Sequence, residues 1–319
     1  MKMKARAKFQ RIFRDKDPKY LPRTLWKHHP TDEKTEDFVK ATLDFHSLHT
    51  FDILKITPNS SFCVQDYGCE IASYGPLYGN VIYRAAFHDV GKWNELQPLD
   101  PAQKTLGLHV ESAKAISKKI GPAQLVLQTI FSPLAQAINL IGLDALLCQI
   151  ECSPSHVWKV INILAATTKN FIQAIASYVD GFCYAIQESS HLARFPPSFI
   201  DQYHPMNIEL LGSYPELIKM MHLHGRIHEF SRFCQYPLDI LHWDEEASGV
   251  SLPHGKTLFP GVVSGGIRWP EDGWKHSEEV VMACQAARKR IGAERFLLAP
   301  ACVIPYKTPI EFTKTFANA

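Results

Sequence analysis

The stretch Leu217-Ile218-Lys219-Met220-Met221-His222-Leu223-His224-Gly225-Arg226 carries the key to this chain. Its first six residues are a largely apolar run of strand length, and a glycine follows closely. On an extended strand, residues i and i+2 share a face, so His222 and His224 point the same way at the end of the run. Seven other runs have similar length and character: 21–26, 51–56, 124–130, 181–186, 238–243, 261–264 and 296–299. Between them lie segments with apolar residues at helical spacing, at 36–49, 108–120, 155–178, 198–211, 227–234 and 277–291, with a last one at 309–316. Such periodicity predicts amphipathic helices. Strand and helix alternating eight times is the pattern of a (β/α)₈ TIM barrel, an α/β fold, with a doubly wound open sheet as the rival. No GxGxxG follows the first run and no GxxxxGK[ST] occurs, so nucleotide-fold signatures are absent.

Working outward, the whole chain of 319 residues reads as one barrel domain, 1–319, with two additions. The first twenty residues carry eight Lys or Arg, with Phe9, Ile12 and Phe13 at helical spacing. That predicts a basic helix over 1–20 covering one end of the barrel. Residues 60–107 are too many for a simple crossover and rich in Gly, Pro and Tyr. They predict an insertion that reshapes the pocket, with 81–84 as half of a hairpin.

Composition narrows the function classes. With Lys+Arg 34 and Asp+Glu 32 the net charge is only +2, which disfavours a nucleic-acid partner. The most apolar long stretch, 125–150, is interrupted by Gln128, Pro133, Gln136, Asn139 and Asp144. It therefore reads as core, not as a membrane span. Eight cysteines without a CxxC pair read as free thiols, and with no apolar leader the expected location is the cytoplasm.

In a barrel of this kind the loops after the strands build the site. His222 and His224 lie there as a pair able to chelate one metal ion, with Cys302 after the eighth run and Asp244 after the sixth. Zinc accepts His nitrogen, Cys sulfur and carboxylate oxygen, and a catalytic zinc keeps one position open. Two histidines at this spacing can equally be mere hydrogen-bonding groups. Cys302 stands across the mouth from the fifth run and reaches His222 only from an inward loop. Asp52, early in its run with Leu54 and Ile56 on its face, reads as an interior carboxylate or as a cap at the strand start. Lys27, His28, Asn59, Lys55, Glu188 and Arg226 fall at the rim as candidate substrate contacts. Gly265-Gly266 permits close backbone approach to a ligand.

Several segments resemble the uroporphyrinogen decarboxylase family. They are Phe51-Asp52-Ile53-Leu54-Lys55-Ile56-Thr57-Pro58, Thr129-Ile130-Phe131-Ser132-Pro133-Leu134 and Met221-His222-Leu223-His224-Gly225. Then follow His242-Trp243-Asp244, Gly265-Gly266-Ile267, Cys302-Val303-Ile304-Pro305 and Thr308-Pro309-Ile310-Glu311. The likeness runs in order along nearly the whole chain and implies a (β/α)₈ barrel and a small-molecule substrate. It implies two chemistries. The decarboxylase branch uses an arginine-rich motif, an aspartate matching Asp52 and a late histidine. Here the arginine motif is replaced by Trp26-Lys27-His28-His29-Pro30, and the histidine by Ala301-Cys302. The branch of zinc-dependent methyltransferases, which move methyl groups from corrinoid proteins to thiols, holds its metal with a His-x-Cys and a later Cys. The matching positions are His222, His224 and Cys302, with histidine as the middle ligand. Asp244 then restores charge as a ligand or orients an imidazole.

The favoured expectation is a zinc-dependent methyltransferase activating a thiol, with a corrinoid protein as implied partner and a homodimer as the common assembly of related barrels. The alternative is metal-free decarboxylation of a carboxylated tetrapyrrole through Asp52, with no cofactor. A barrel with other chemistry, or a binding role alone, is the third reading.

Overall fold

The computed structural model describes residues 4–14, 20–31, 33–49, 51–79, 81–86, 93 and 95–319. Its strands, in chain order, are β1 (Ile53–Ile56), β2 (Glu70–Tyr74), β3 (Val81–Arg84), β4 (Leu125–Phe131), β5 (Gly181–Ile186), β6 (Ile218–Leu223), β7 (Ile240–Trp243), β8 (Val262–Ile267) and β9 (Phe296–Pro300). Seven of them form one sheet in the order β1-β4-β5-β6-β7-β8-β9, every pair parallel. The strands β2 and β3 pair antiparallel as a separate hairpin within 60–107.

The expected eighth barrel strand, at 21–26, is reduced to a single bridge between Arg23 and Leu298. The segment still lies between the two outer strands. Leu298 donates to the Pro22 carbonyl at 2.9 Å and Thr24 to the Leu298 carbonyl at 3.0 Å. On the other side Asp52 donates to the Arg23 carbonyl at 3.1 Å. Pro22 brings no backbone N–H of its own, so a longer ladder loses a donor where it would start. The architecture is therefore a curled, seven-stranded parallel sheet.

Parallel strands covered on both faces read as continuous apolar runs, and that holds here: every residue of β4, β5 and β9 is buried. Two apolar clusters line the two faces. The inner one includes Ile53, Leu127, Cys183, Met220, Ile240 and Leu297. The outer one, against the helices, includes Leu54, Ile56, Val126, Tyr184, Met221 and Leu298. Inward positions on β1 are thus 53 and 55, and those on β6 are 218, 220 and 222.

The helix Ala5–Phe13 closes the N-terminal end of the sheet. Ile12 sits in the inner cluster with Phe9 and Phe13 packed beside it. Lys8 is buried, and its Nζ donates to Asp180 at 2.7 Å and to the Gln124 carbonyl at 3.0 Å. Two helices, Pro133–Ile141 and Leu143–Cys152, follow β4 with a bend of 105° between them. The first is started by Ser132, whose hydroxyl accepts from the Ala135 amide, and by Pro133 at its first position. The apolar stretch 125–150 is therefore a strand and two helices. Among the described residues no single helix is long and apolar enough to cross a membrane.

Candidate functional site

A cavity of about 410 Å³ opens at the C-terminal ends of the strands. It is reached by Lys55 and Thr57 from β1 and its loop, Thr129 from β4, Gln187 after β5, His222 and His224 from β6, and Cys302 after β9. Trp26, His28 and Tyr78 complete much of its wall. Among the described residues no aspartate or glutamate lines it. The strand parity explains the membership, since inward side chains near the strand ends point into the opening.

The chemistry centres on three side chains. His222 Nδ1 lies 2.7 Å from Nδ1 of His242, and His242 Nε2 lies 2.8 Å from the Pro300 carbonyl. Strand register sets His242 directly beside His222. The Pro300 carbonyl can only accept, so His242 carries its proton on Nε2. Burial pushes the His242 pKa down to about 3, Lys55 adds to the effect and the Pro300 carbonyl opposes it. The ring is therefore neutral at pH 7 and its Nδ1 is an acceptor. It follows that His222 donates through Nδ1. Burial first, then the neighbouring His242, His224 and Lys55, hold the His222 pKa well below its usual value. A neutral His222 with its proton on Nδ1 has a bare Nε2 lone pair, and this atom lies 3.9 Å from Cys302 Sγ. The edge of Trp26 closes over His242 at 5.0 Å between ring centres.

Cys302 is thus brought to His222 although its strand lies across the sheet. Burial raises the Cys302 pKa, while the Val303 amide and Lys55 pull it down and Asp244 raises it further. Lys55 Nζ stands 4.8 Å from the Trp26 ring and 3.4 Å from Thr57 Oγ1. Burial lowers its pKa, and the Cys183 and Cys302 thiols oppose that.

A zinc ion was implied by the family resemblance, and the residues can be tested for it. Zinc–nitrogen and zinc–sulfur bonds of about 2.0 and 2.3 Å at a tetrahedral angle set an N···S spacing of about 3.5 Å. The His222–Cys302 separation is near that, and the His222 tautomer leaves the right nitrogen free. His224 follows on the same strand face, with its ring centre 6.0 Å from that of His222. It is not drawn in: among the described residues no three His, Cys, Asp or Glu side chains are grouped closely enough to hold a metal ion. His222 and Cys302 stand near the spacing a zinc ion needs, and His224 does not join them as placed.

The remaining expected residues divide sharply. His28 lines the cavity, with its Nδ1 buried and without a partner, and burial pushes its pKa to about 4. Asp52 does not reach the cavity. It precedes β1 at the opposite end of the sheet, where it accepts from the Tyr20 hydroxyl at 2.8 Å and the Arg23 amide at 3.0 Å. The expected inward face of its strand was wrong by one residue: Leu54 and Ile56 pack outward and Lys55 points in. Asn59 is buried beside the cavity loop, where its side-chain oxygen accepts from the Ser61 amide and hydroxyl at 3.0 Å. It orders the loop after β1 and is not among the lining residues. Glu188 is buried on the outer side, accepting from Tyr203 at 2.7 Å and from Ser132; its neighbour Gln187 takes the cavity position.

Asp244 caps the short helix Glu245–Ser248, accepting from the Glu246 amide at 2.9 Å. Its carboxylate opposes the lowering of the His224 pKa that burial causes. Arg226 is exposed and outside the cavity lining. Gly265 and Gly266 have φ of +137° and +97°. A Cβ on Gly265 would meet the Trp243 carbonyl at 2.8 Å, so the pair is explained by backbone conformation and packing and not by a ligand.

His242 is the important residue that the candidate set lacked. His242 stands two residues before Asp244 on its strand, as His222 stands two before His224. That parallel was the available signal.

The comparisons agree with this architecture. A solved methyltransferase from Methanosarcina mazei superposes with a TM-score of 0.81 at 16% identity, covering 99% of this chain and 98% of that one. A B12-independent methionine synthase from Shewanella sp. W3-18-1, in complex with selenomethionine, gives 0.60 at 14% identity, covering 93% and 92%. A putative vitamin-B12 independent methionine synthase from Listeria monocytogenes gives 0.54 at 14%, covering 90% and 86%. At these identities the likeness shows the fold alone. No curated protein matches the sequence. The model of the family described as "Uroporphyrinogen decarboxylase (URO-D)" matches residues 29–319. This chain belongs to the uroporphyrinogen decarboxylase family.

Proposed function

We propose that the chain is a zinc-dependent methyltransferase that activates a small thiol in the cavity at the C-terminal ends of the strands, in an eight-segment barrel that residues 21–26 close. The observation that carries this reading is the bare Nε2 of His222 facing Cys302 Sγ at 3.9 Å. His222 and Cys302 would hold the ion, with His224 completing the set after its side chain turns about Cα–Cβ. Zinc there supplies a Lewis acid that keeps a bound thiol ionised at neutral pH. The protein supplies the rest. His242 fixes which nitrogen of His222 is free. Trp26 and Phe131 exclude water from the wall. Lys55 adds positive charge beside the sulfur position, and no carboxylate among the described residues lines the cavity to oppose it. The thiolate sulfur would take the methyl group from a donor docked at the mouth, proposed to be a corrinoid protein, forming the S–C bond as the cobalt–carbon bond breaks and its electron pair stays on the corrinoid.

Metal-free decarboxylation finds less support. Asp52 sits at the other end of the sheet, and a single lysine is a poor match for a tetrapyrrole bearing many carboxylates.

The reading is tested by loading purified protein with zinc, removing the excess and measuring metal per chain. One tightly held zinc, lost in both His222→Ala and Cys302→Ala, is expected. Zinc-loaded protein should then demethylate free methylcobalamin in the presence of small thiols. Wild-type protein that retains no zinc would overturn the proposal.

A further inference from the structure

We infer that β2 and the turn after it, 75–79, form a flap over the cavity, latched shut through the turn and lifted to admit a bulky molecule. The inference rests on reading this cavity as the place where ligand enters. It does not depend on zinc.

β2 belongs to a hairpin that joins no other strand, so the barrel sheet does not hold it. Glu70, Ala72 and Ser73 are exposed, and Ile71 and Tyr74 are only half-buried. A strand open on both faces gains little from burial, and a two-stranded hairpin is marginal by itself. The register is also interrupted between Ile71 and Ser73. Yet the turn that β2 carries reaches the site, because Tyr78 lines the cavity.

The latch joins this turn to the segment that follows Cys302. The Tyr306 amide donates to the Leu77 carbonyl at 3.1 Å. Gly79 sits so close to Tyr306 that a Cβ on it would stand 3.2 Å from the ring and 3.4 Å from Tyr306 Cβ. Tyr306 is steadied in turn by Lys27, whose Nζ donates to its carbonyl at 2.9 Å. The Tyr78 hydroxyl donates to Glu271 at 3.4 Å in an exposed position. Water replaces surface hydrogen bonds when they break, so such a latch resists opening weakly. Segments with few buried apolar contacts open locally while the core stays folded. The fully buried strands β4, β5 and β9 are the opposite case. With the flap down, the turn shields Cys302 from water; with it lifted, the mouth is clear.

The test is a pair of double variants. Gly79→Cys with Tyr306→Cys can lock the flap: the Cβ spacing of 3.4 Å is close to the range of disulfide-bonded pairs, about 3.5–4.5 Å. The φ of +63° at Gly79 lies in the left-handed region that cysteine can adopt. Gly79→Ser with Tyr306→Ser is the unlocked control of matching size. The readout is labelling of Cys302 by N-ethylmaleimide and by a maleimide carried on a polyethylene glycol chain, located by peptide mapping. With the introduced cysteines bonded, Cys302 is the only free thiol of 296–307 in both proteins. The bulky reagent should react more slowly with the locked protein than with the serine pair by on the order of tenfold or more, the effect of a lost hydrogen bond or two. The small reagent should react at similar rates. Equal rates for the bulky reagent, or a cysteine pair that does not bond in the folded protein, would overturn the flap. Amide exchange of the wild type is a second readout that needs no thiol. The Tyr306 amide should exchange faster, by on the order of tenfold or more, than the Ala301 amide, which donates to the Ile267 carbonyl of the sheet at 2.7 Å. Equal protection of the two would also overturn it. Neither readout uses metal or substrate, so failure of the zinc reading leaves this outcome untouched, and the reverse also holds.

Discussion

Replacing His242 by leucine would break the chain that runs from the Pro300 carbonyl through His242 to His222. The two contacts, at 2.8 and 2.7 Å, are both in the interior, and His242 is fully buried. Leucine is close to histidine in volume, so the cost is polar and not a void. It leaves the Pro300 carbonyl and the His222 Nδ1–H without partners. Each buried orphan costs about 1–3 kcal/mol, so the variant should lose roughly 2–6 kcal/mol in urea denaturation. His242→Gln can restore both links, since its amide N–H donates to Pro300 and its oxygen accepts from His222. It should recover most of the loss. The functional readout is separate. Without an acceptor at Nδ1, His222 is free to place its proton on Nε2, the atom that faces Cys302. Zinc affinity, measured by competition with a chromophoric chelator, should fall by about 10- to 100-fold in the leucine variant and be largely rescued by glutamine. Equal stability and equal zinc affinity in the two variants would refute the argument that His242 sets the His222 tautomer.

Two further predictions follow from groups outside the site. His109 is fully buried between Phe38 and Phe62, has no partner for either ring nitrogen, and has its pKa pushed to about 3 by burial. The unfolded chain binds this proton near the ordinary value of 6.5 and the folded chain does not, so the contribution is intact above that pH and lost as pH falls toward 3. His109→Phe should therefore gain about 2 kcal/mol relative to wild type between pH 7 and pH 5 in denaturant titrations; a constant difference would contradict it. Asp52→Asn should cost about 1–3 kcal/mol, because the Tyr20 hydroxyl and Arg23 amide lose a charged acceptor, and zinc binding should be unchanged. Loss of zinc binding without loss of stability would return Asp52 to the site.

The order of the sheet strands was legible because each apolar run is bounded by turn residues and separated by helical periodicity. The pair His222 and His224 was legible from the alternation of side chains along one strand, and Cys302 from the resemblance. What failed was parity. When both faces of a strand are buried, as on β1, hydrophobicity does not alternate, and a one-residue slip exchanges the inner and outer sets. That is why an interior carboxylate at Asp52 stood beside the strand-start cap as a reading, and why Lys55 was not set apart from the other rim charges. The same slip separates Glu188, on the helix side, from Gln187 in the cavity. Residues 133–152 were read only as part of one long apolar stretch and not divided into helices, although Leu146 and Ile150 recur there at helical spacing on a buried face. Gly265 and Gly266 looked like ligand positions, whereas their positive φ and the nearby Trp243 carbonyl account for them.

The most direct test of the account is the zinc K-edge absorption spectrum of the loaded protein. The predicted first shell is one sulfur near 2.3 Å and two nitrogens near about 2.0–2.1 Å, plus one exchangeable light atom. The sulfur should vanish in Cys302→Ser, and one nitrogen in His224→Ala. A shell made only of oxygen and nitrogen in the wild type, or one unchanged in both variants, would contradict the site at its centre.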